Sequence, residues 1–407
     1  MNCRRCNARL DRVVIDLSHQ PASNAYLTPT MLEGSENYAP LKTFVCEACW
    51  LVQLPSYHRS DELFTPDYAY FSSISPSWVE HARRYSQTAI SRFGLTAKDW
   101  VVEIASNDGY LLQFFQEAGI PCTGIEPTMS TAAAARTKGI ETIERFFGIE
   151  LARDLVAKRG SASLTAANNV LAHVPDINDF VEGFAILLAP EGVATFEFPH
   201  LIKLMEECQF DTIYHEHYSY LSLTVVSELF SDKGLRVFDV EKLPTHGGSL
   251  RVYACRKAAG HVETPAVAAL LQEEHDEGVC TSAYYETLAP RAQKIKLDLL
   301  EFLVSQKKLG KSVAAYGAAA KGNTLLNYSG VHADLVEFVC DAAPSKQGQF
   351  LPGSHVPILH PDVLYERKPD FVLILPWNLR AEIKSQHGAI ENWGGRFVVA
   401  IPELEIF

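Results

Sequence analysis

Titratable and aromatic side chains crowd together at Asp211-Thr212-Ile213-Tyr214-His215-Glu216-His217-Tyr218-Ser219-Tyr220. A histidine with an ordinary pKa near 6.5 is the natural general base at neutral pH, and a carboxylate beside it can fix its tautomer. In an extended segment residues 214, 216 and 218 share a face, whereas in a helix residues 214 and 217 meet. A metal reading would draw on His215, Glu216, His217 and His246. The spacing is H-E-H, however, and not the H-E-x-x-H that sets two imidazoles on one helical face. Further polar groups stand at Asn168-Asn169-Val170-Leu171-Ala172-His173, at Glu197-Phe198-Pro199-His200 and at Thr245-His246-Gly247-Gly248-Ser249-Leu250-Arg251. The last adds a cation and a backbone nest. Ligands of open α/β sheets bind at the carboxyl ends of the strands, where loops after 168 and 197 would converge.

A second chemical feature is the run Glu103-Ile104-Ala105-Ser106-Asn107-Asp108-Gly109, which reads as strand tip, tight loop and helix start. Glu126, in Gly124-Ile125-Glu126-Pro127, closes the next strand and can accept both hydroxyls of a ribose. Dinucleotide enzymes and methyltransferases share this layout. An acid at the strand tip repels a pyrophosphate but suits the ammonium of S-adenosylmethionine, so the loop favours the latter cofactor over NAD. Ala105 stands where methyltransferases usually carry glycine and slightly narrows the approach of adenosine.

Two C-x-x-C pairs, Cys3/Cys6 and Cys46/Cys49, can turn four thiolates toward one tetrahedral zinc with no open position, a structural site. The 39 residues between the pairs exceed the spacing of a simple ribbon and call for an inserted hairpin. Cys122, Cys208, Cys255, Cys280 and Cys340 are isolated and expected in the core.

These groups need a scaffold of several domains, because 407 residues exceed what one core organises. Residues 1–65 lack helical periodicity and hold the cysteines. A helix is expected over Ser77–Ser91. Residues 66–260 contain short buried strands at Trp100–Ala105, Thr123–Glu126, Leu164–Asn168, Val193–Phe198 and Leu250–Cys255, the pattern of a doubly wound parallel sheet finished by one or two antiparallel strands. Residues 261–310 read as a helical linker. Residues 311–407 repeat the α/β alternation, with strands at Val313–Tyr316, Val336–Cys340, Phe371–Leu375 and Phe397–Ala400. There Lys321, near Gly317 and Gly322, could meet a diphosphate. A net charge of −13 argues against non-specific nucleic-acid binding. No apolar run spans a bilayer and the N-terminus has no secretory pattern, so a cytoplasmic protein is expected.

Taken together, the chain resembles the sugar C-methyltransferases that act on nucleotide-linked keto-deoxysugars. The resemblance rests on both C-x-x-C pairs, Tyr-Phe-Ser-Ser at 70–73, E-I-A-S-N-D-G-Y-L-L at 103–112 and N-N-V-L-A-H at 168–173. It continues through F-E-F-P-H at 196–200, Y-H-E-H-Y-S-Y at 214–220, H-G-G-S-L-R at 246–251 and Y-G-A-A-A-K-G-N at 316–323. It implies a small zinc domain, a class I methyltransferase domain and a C-terminal Rossmann-like domain, with S-adenosylmethionine and structural zinc as cofactors. The implied reaction methylates C3 of a 4-keto-deoxysugar carried on a nucleotide, with dTDP as the expected carrier, through an enolate. The resemblance makes His217 the base, with Tyr214, Glu216, His173 and Tyr70 in the site; Tyr68 competes with Tyr70. The cofactor would meet Glu103, Ala105, Ser106, Asn107, Asp108, Gly109, Glu126 and Asn169. The substrate would meet Tyr68, His200, His246, Arg251, Lys321 and Asn323. The rival readings are methylation at oxygen or nitrogen, and a non-catalytic zinc scaffold that binds nucleotide-sugars. The sequence leaves the oligomeric state open.

Overall fold

The computed structural model describes residues 1–57 and 71–407. Three sheets organise it. In the N-terminal part, β1 (Arg12–Gln20) and β2 (Ala39–Val45) form an antiparallel hairpin inserted between the two cysteine pairs, and β3 (Val52–Gln53) adds to it.

The central sheet is built from β4 (Val101–Ile104), β5 (Cys122–Ile125), β6 (Thr142–Ile143), β7 (Ala162–Asn168) and β8 (Leu188–Pro199) in parallel. β9 (Ser219–Tyr220) leaves this part of the chain and pairs with β3, so it completes the N-terminal sheet instead. β10 (Leu235–Leu243) and β11 (Ser249–Arg256) finish the central sheet antiparallel, giving the order β10-β11-β8-β7-β4-β5-β6. All four residues of β4 are buried, as expected of a strand covered on both faces.

The helix Pro76–Phe93 lies across this sheet. Ser75 caps it by accepting from Trp78 N, Pro76 opens it, and Gly94 in the left-handed region (φ 63°) ends it. Its buried residues Ala82, Tyr85, Ser86 and Ala89 make one stripe, and the Tyr85 hydroxyl meets Thr195 Oγ1 at 2.5 Å.

The C-terminal sheet comprises β12 (Val313–Tyr316), β13 (Val339–Cys340), β14 (Ile358–Leu359), β15 (Phe371–Ile374), β16 (Arg396–Val399) and β17 (Glu405–Ile406). Its order is β14-β13-β12-β15-β16-β17, parallel except for β17.

The cores do not follow the sheets. Leu17, Leu41 and Val52 of the N-terminal sheet share one apolar core with Ile213 and Tyr220 and with Leu326 and Trp377 of the C-terminal part. The stretch 261–310, read as a linker, is divided between cores. Helix Pro265–Asp276 sends Val267 and Leu270 into the central core, while helix Leu288–Lys308 sends Ala292, Leu299 and Leu303 into the shared one. Cys208, Cys255 and Cys340 are buried, and Cys122 and Cys280 are partly so. Among the described residues no helix is long and apolar enough to cross a membrane.

Candidate active site

The loop after β4 is held in left-handed conformations at Ala105 (φ 55°), Asn107 (φ 50°) and Gly109 (φ 76°). At Gly109 a Cβ would lie 2.4 Å from Ile140 Cδ1, so conformation and space both demand glycine. Glu103 is buried beneath the loop. Among the described residues neither of its oxygens has a hydrogen bond of ordinary geometry, although the Tyr110 hydroxyl neighbours it. Burial, with Asp108 and Glu126 nearby, pushes its carboxyl well above the usual range. An acid so placed is stabilised by an arriving cation, which fits the ammonium of S-adenosylmethionine. Among the described residues Asn168 Oδ1 and Asn169 Oδ1, at the end of β7, also have no hydrogen-bond partner, as expected of a polar ligand pocket.

The remaining loop side chains hold the loop itself. Glu126 accepts from Asn107 N at 2.9 Å on Oε2, and from Thr128 N and Oγ1 on Oε1. Any ribose contact therefore uses its remaining lone pairs. Ser106 is fully buried and turned toward Gly124, where a Cβ would stand 2.3 Å from its Oγ. The Ser106 side chain thus packs against β5. Asn107 Oδ1 accepts from Ser72 N at 2.9 Å, and Asp108 Oδ2 accepts from Ser73 Oγ, so the 72–73 segment docks on this loop. Tyr68 and Tyr70 lie outside the described residues.

The segment 211–220 is extended or turn-like, and it brings Tyr214 and His217 together. Tyr214 OH and His217 Nε2 are 2.8 Å apart, and His217 Nδ1 is 2.7 Å from the Thr212 carbonyl. A carbonyl only accepts, so Nδ1 carries the proton and Nε2 keeps a lone pair that receives the tyrosine hydroxyl. The group that fixes the tautomer is therefore Thr212 O. Glu216, expected in that role, accepts from Asn24 Nδ2 at 2.7 Å on Oε1. The His173 ring packs edge-on against His217 with centroids 4.5 Å apart. Burial pushes His217 well below 6.5, helped by His173, Lys321 and His246. Burial lowers His173 to about 4, and burial with Lys321 lowers His246 to about 4. All three rings are neutral near pH 7.

The segment is clamped from three sides. From the C-terminal part, Trp377 Nε1 donates to Asp211 Oδ2 at 2.8 Å and Thr324 Oγ1 to Ile213 O at 2.9 Å. From the N-terminal part come Asn24 and the β3–β9 pairing. From the central part, Ala172 O accepts from Tyr218 N at 2.8 Å. Lys321 Nζ lies 4.6 Å over the Trp377 ring and donates to Asn378 Oδ1 at 2.7 Å. Burial lowers its pKa, which Asp211 opposes. Burial raises Asp211 to about 6, against Lys321 and Trp377. Asn24, Thr212, Asp211 and Trp377 carried no sequence signal for these roles, because their partners are distant in the chain or are backbone atoms.

Three expected substrate contacts are engaged elsewhere. Arg251 is buried against Glu197 Oε2 (2.9 Å) and His81 Nε2 (3.0 Å) and lies 4.7 Å over the Tyr85 ring. Its charge is met by Glu197, whose carboxyl burial would raise but which His81, Arg251 and Thr245 hold below its usual range. His200 is buried with Nε2 2.8 Å from Glu274, which also accepts from Leu223 N and Thr224 N. Asn323, fully buried, donates to Ser23 O at 2.6 Å and ties the C-terminal helix to the N-terminal part. His246 (φ 54°) instead meets an aromatic box, with Trp78 at 5.0 Å; Trp78 in turn stacks on His81 at 4.8 Å.

The cysteine pairs converge. Cys3 and Cys49 sulfurs are 3.6 Å apart, those of Cys6 and Cys46 3.5 Å, and all four lie within 4.8 Å of one another. A zinc with arms of about 2.3 Å spaces its thiolates by about 3.8 Å, so the cage fits. In each knuckle an amide donates back to the first cysteine's carbonyl, Asn7 N to Cys3 O and Trp50 N to Cys46 O. Both donors are left-handed.

Comparison with known families finds three matches along the chain. The chain matches a zinc binding domain over residues 3–64, a methyltransferase domain over 78–240 and a C-methyltransferase C-terminal domain over 244–402. It is 37% identical to C-methyltransferase NovU of Streptomyces niveus over 404 residues, covering 99% of this chain and 96% of that one. Solved methyltransferase structures cover under half of this chain. The magnesium protoporphyrin IX methyltransferase of Synechocystis is 13% identical, with a TM-score of 0.35 over 44% of this chain and 83% of its own. An S-adenosylmethionine-dependent methyltransferase of Clostridium acetobutylicum is 10% identical, with a TM-score of 0.36 over 44% and 92%. On the full-length match to its relative and the zinc, methyltransferase and C-terminal regions in order, the chain belongs to the C-methyltransferase family as an S-adenosylmethionine-dependent, zinc-binding enzyme.

Proposed function

We propose that this C-methyltransferase acts on a nucleotide-linked 4-keto-deoxysugar, dTDP-linked in the first instance, and methylates C3 through an enolate. Residence in the cytoplasm, where nucleotide-sugars are made, belongs to the same reading. The observation that carries it is the Thr212 O–His217–Tyr214 hydrogen-bond chain, which leaves a neutral imidazole with its basic Nε2 turned to a phenol.

Carbon methylation needs a carbon nucleophile, and a ketone acidifies the neighbouring C–H. In this reading the keto oxygen takes over the Tyr214 hydroxyl, which frees Nε2 of His217 to remove the adjacent proton. Tyr214 then donates to the developing enolate oxygen, a contribution of about 3–4 kcal/mol for one such donor. The imidazolium is paired with the enolate it has just created, which offsets the cost of charging a buried ring. Thr212 O holds the ring throughout. S-adenosylmethionine, held by the Glu103 loop, supplies the electrophilic methyl group. His173 packs the back of the His217 ring and excludes water from it. His246 and Trp78 offer an apolar, aromatic wall for the sugar.

The test is incubation with a panel of nucleotide 4-keto-sugars and methyl-labelled cofactor, followed by product NMR. A new C–CH3 at the carbon beside the ketone supports the reading; an O–CH3, or no transfer to any keto-sugar, overturns it.

A further inference from the structure

An unbroken run of contacts joins the zinc knuckle to the catalytic segment. Gln53 Nε2 donates to Cys3 Sγ at 3.1 Å, and Gln53 Oε1 accepts from Arg4 N at 2.9 Å. Through its backbone Gln53 pairs with Ser219, and the next residue donates from Leu54 N to Tyr218 O at 3.0 Å. The Arg4 guanidinium donates to Leu54 O and, at 2.8 Å, to Pro175 O, while it lies 5.1 Å over the Tyr218 ring. Tyr218 follows His217 directly, and its own amide is held by Ala172 O, beside the His173 that packs on His217.

β3 and β9 are each two residues long. A pairing that short does not hold its register unaided. What fixes it is the planar fork of Arg4, locked by two carbonyls and one ring, and the Gln53 amide anchored on a zinc thiolate.

We propose that Arg4 and Gln53 are positioning residues for the reaction: they carry the geometry of the zinc knuckle into Tyr218 and so set His217 against Tyr214 and His173. The zinc module is then part of the catalytic apparatus, not a remote stabilising clip. The proposal rests on His217 being the base, and its test separates the two ideas.

The experiment uses the full-length, zinc-loaded protein with 15N-labelled histidine. Arg4→Met keeps the aliphatic stem and removes the fork; Arg4→Lys restores the charge; Gln53→Met is the independent second variant, used also where Arg4→Met does not fold. Zinc content, the His217 ring resonances, kcat, and KM for each substrate are read together. The expected result is full zinc occupancy and a KM for S-adenosylmethionine within about twofold of the parent, with displaced His217 resonances. With these, kcat falls at least about tenfold and is partly recovered by Arg4→Lys, as for a misplaced reacting group. Unmoved His217 resonances with parental kcat at full zinc occupancy would overturn the proposal. Displaced resonances with unchanged kcat would show that the two residues place His217 without the reaction depending on it, which overturns their role in the reaction and counts against His217 as the base.

Discussion

Replacing His217 with asparagine removes the basic Nε2 while the amide nitrogen can still reach the Thr212 carbonyl, which the ring nitrogen now meets at 2.7 Å. The Tyr214 hydroxyl, 2.8 Å from Nε2, loses its acceptor but keeps its place. A positioned general base contributes about 10²–10⁴-fold, or roughly 3–5 kcal/mol of barrier, so kcat for His217→Asn should fall by that factor. Binding of S-adenosylmethionine should stay within about twofold, because the loop of Glu103 is built from other elements. Tyr214→Phe should cost about 100- to 1000-fold through loss of the enolate donor. The two residues share one proton path, so the double variant should lie near the worse single one and far above the product. Two assays are needed. One follows methyl transfer at saturating substrates; the other follows deuterium entering the sugar from D2O with S-adenosylhomocysteine in place of the methyl donor. The exchange isolates proton removal from transfer. If His217→Asn retains exchange and turnover within about threefold of the parent, the base is another group and the mechanism above fails.

Four further outcomes follow from the same geometry. His217 is held well below 6.5, so the acid limb of kcat/KM should lie below pH 6.5, where an unperturbed histidine base would set it; a limb centred at 6.5 contradicts the burial argument. His173 and His246 at about 4 bind fewer protons folded than unfolded between pH 6.5 and 4, so stability should drop as pH falls through that window. Urea unfolding at each pH measures it, and a flat profile would refute the assignment. Ala105 sits at φ 55°, which costs an L-residue about 1–2 kcal/mol, while a glycine there adds about 0.4–1 kcal/mol of unfolded-state freedom. Ala105→Gly should therefore be neutral to about 1 kcal/mol stabilising with cofactor affinity kept, and a marked loss of melting temperature would show that the strain reading is wrong. Glu274→Ala strands His200 and two backbone amides, so it should destabilise by about 3–5 kcal/mol in chemical denaturation. A cost under about 1 kcal/mol would release His200 from its structural role.

Much of the architecture follows from local pattern. The apolar runs at 101–104 and 313–316, the Ser-Pro start and glycine stop of the helix over 76–93, and the two C-x-x-C knuckles are short-range signals set by neighbouring residues. The same holds for the acid at the tip of β4, whose distance from Gly109 is fixed by the strand–loop geometry. Long-range polar pairing was not legible. Arg251 reads as a free cation until Glu197 and His81 are folded onto it, and His200 as a site histidine until Glu274 arrives from a helix 74 residues away. Glu216 beside His217 in sequence suggests the orienting acid, but the 214–217 turn, closed by His217 N on Tyr214 O, gives Glu216 to Asn24, and the His217 bond goes to a backbone carbonyl.

The sequence alone determined which chemistry was available: thiolates in knuckle spacing, a buried carboxylate at a strand tip, and an imidazole among phenols. Tertiary structure decided which of these groups face one another. The segment 211–220 has almost no regular structure of its own, so its shape is dictated by Trp377, Thr324, Asn24, Gln53 and Ala172, which reach it from every part of the chain. Hydrogen bonds between residues far apart in sequence leave no periodicity behind, and only the packed core that brings them together can select the partner.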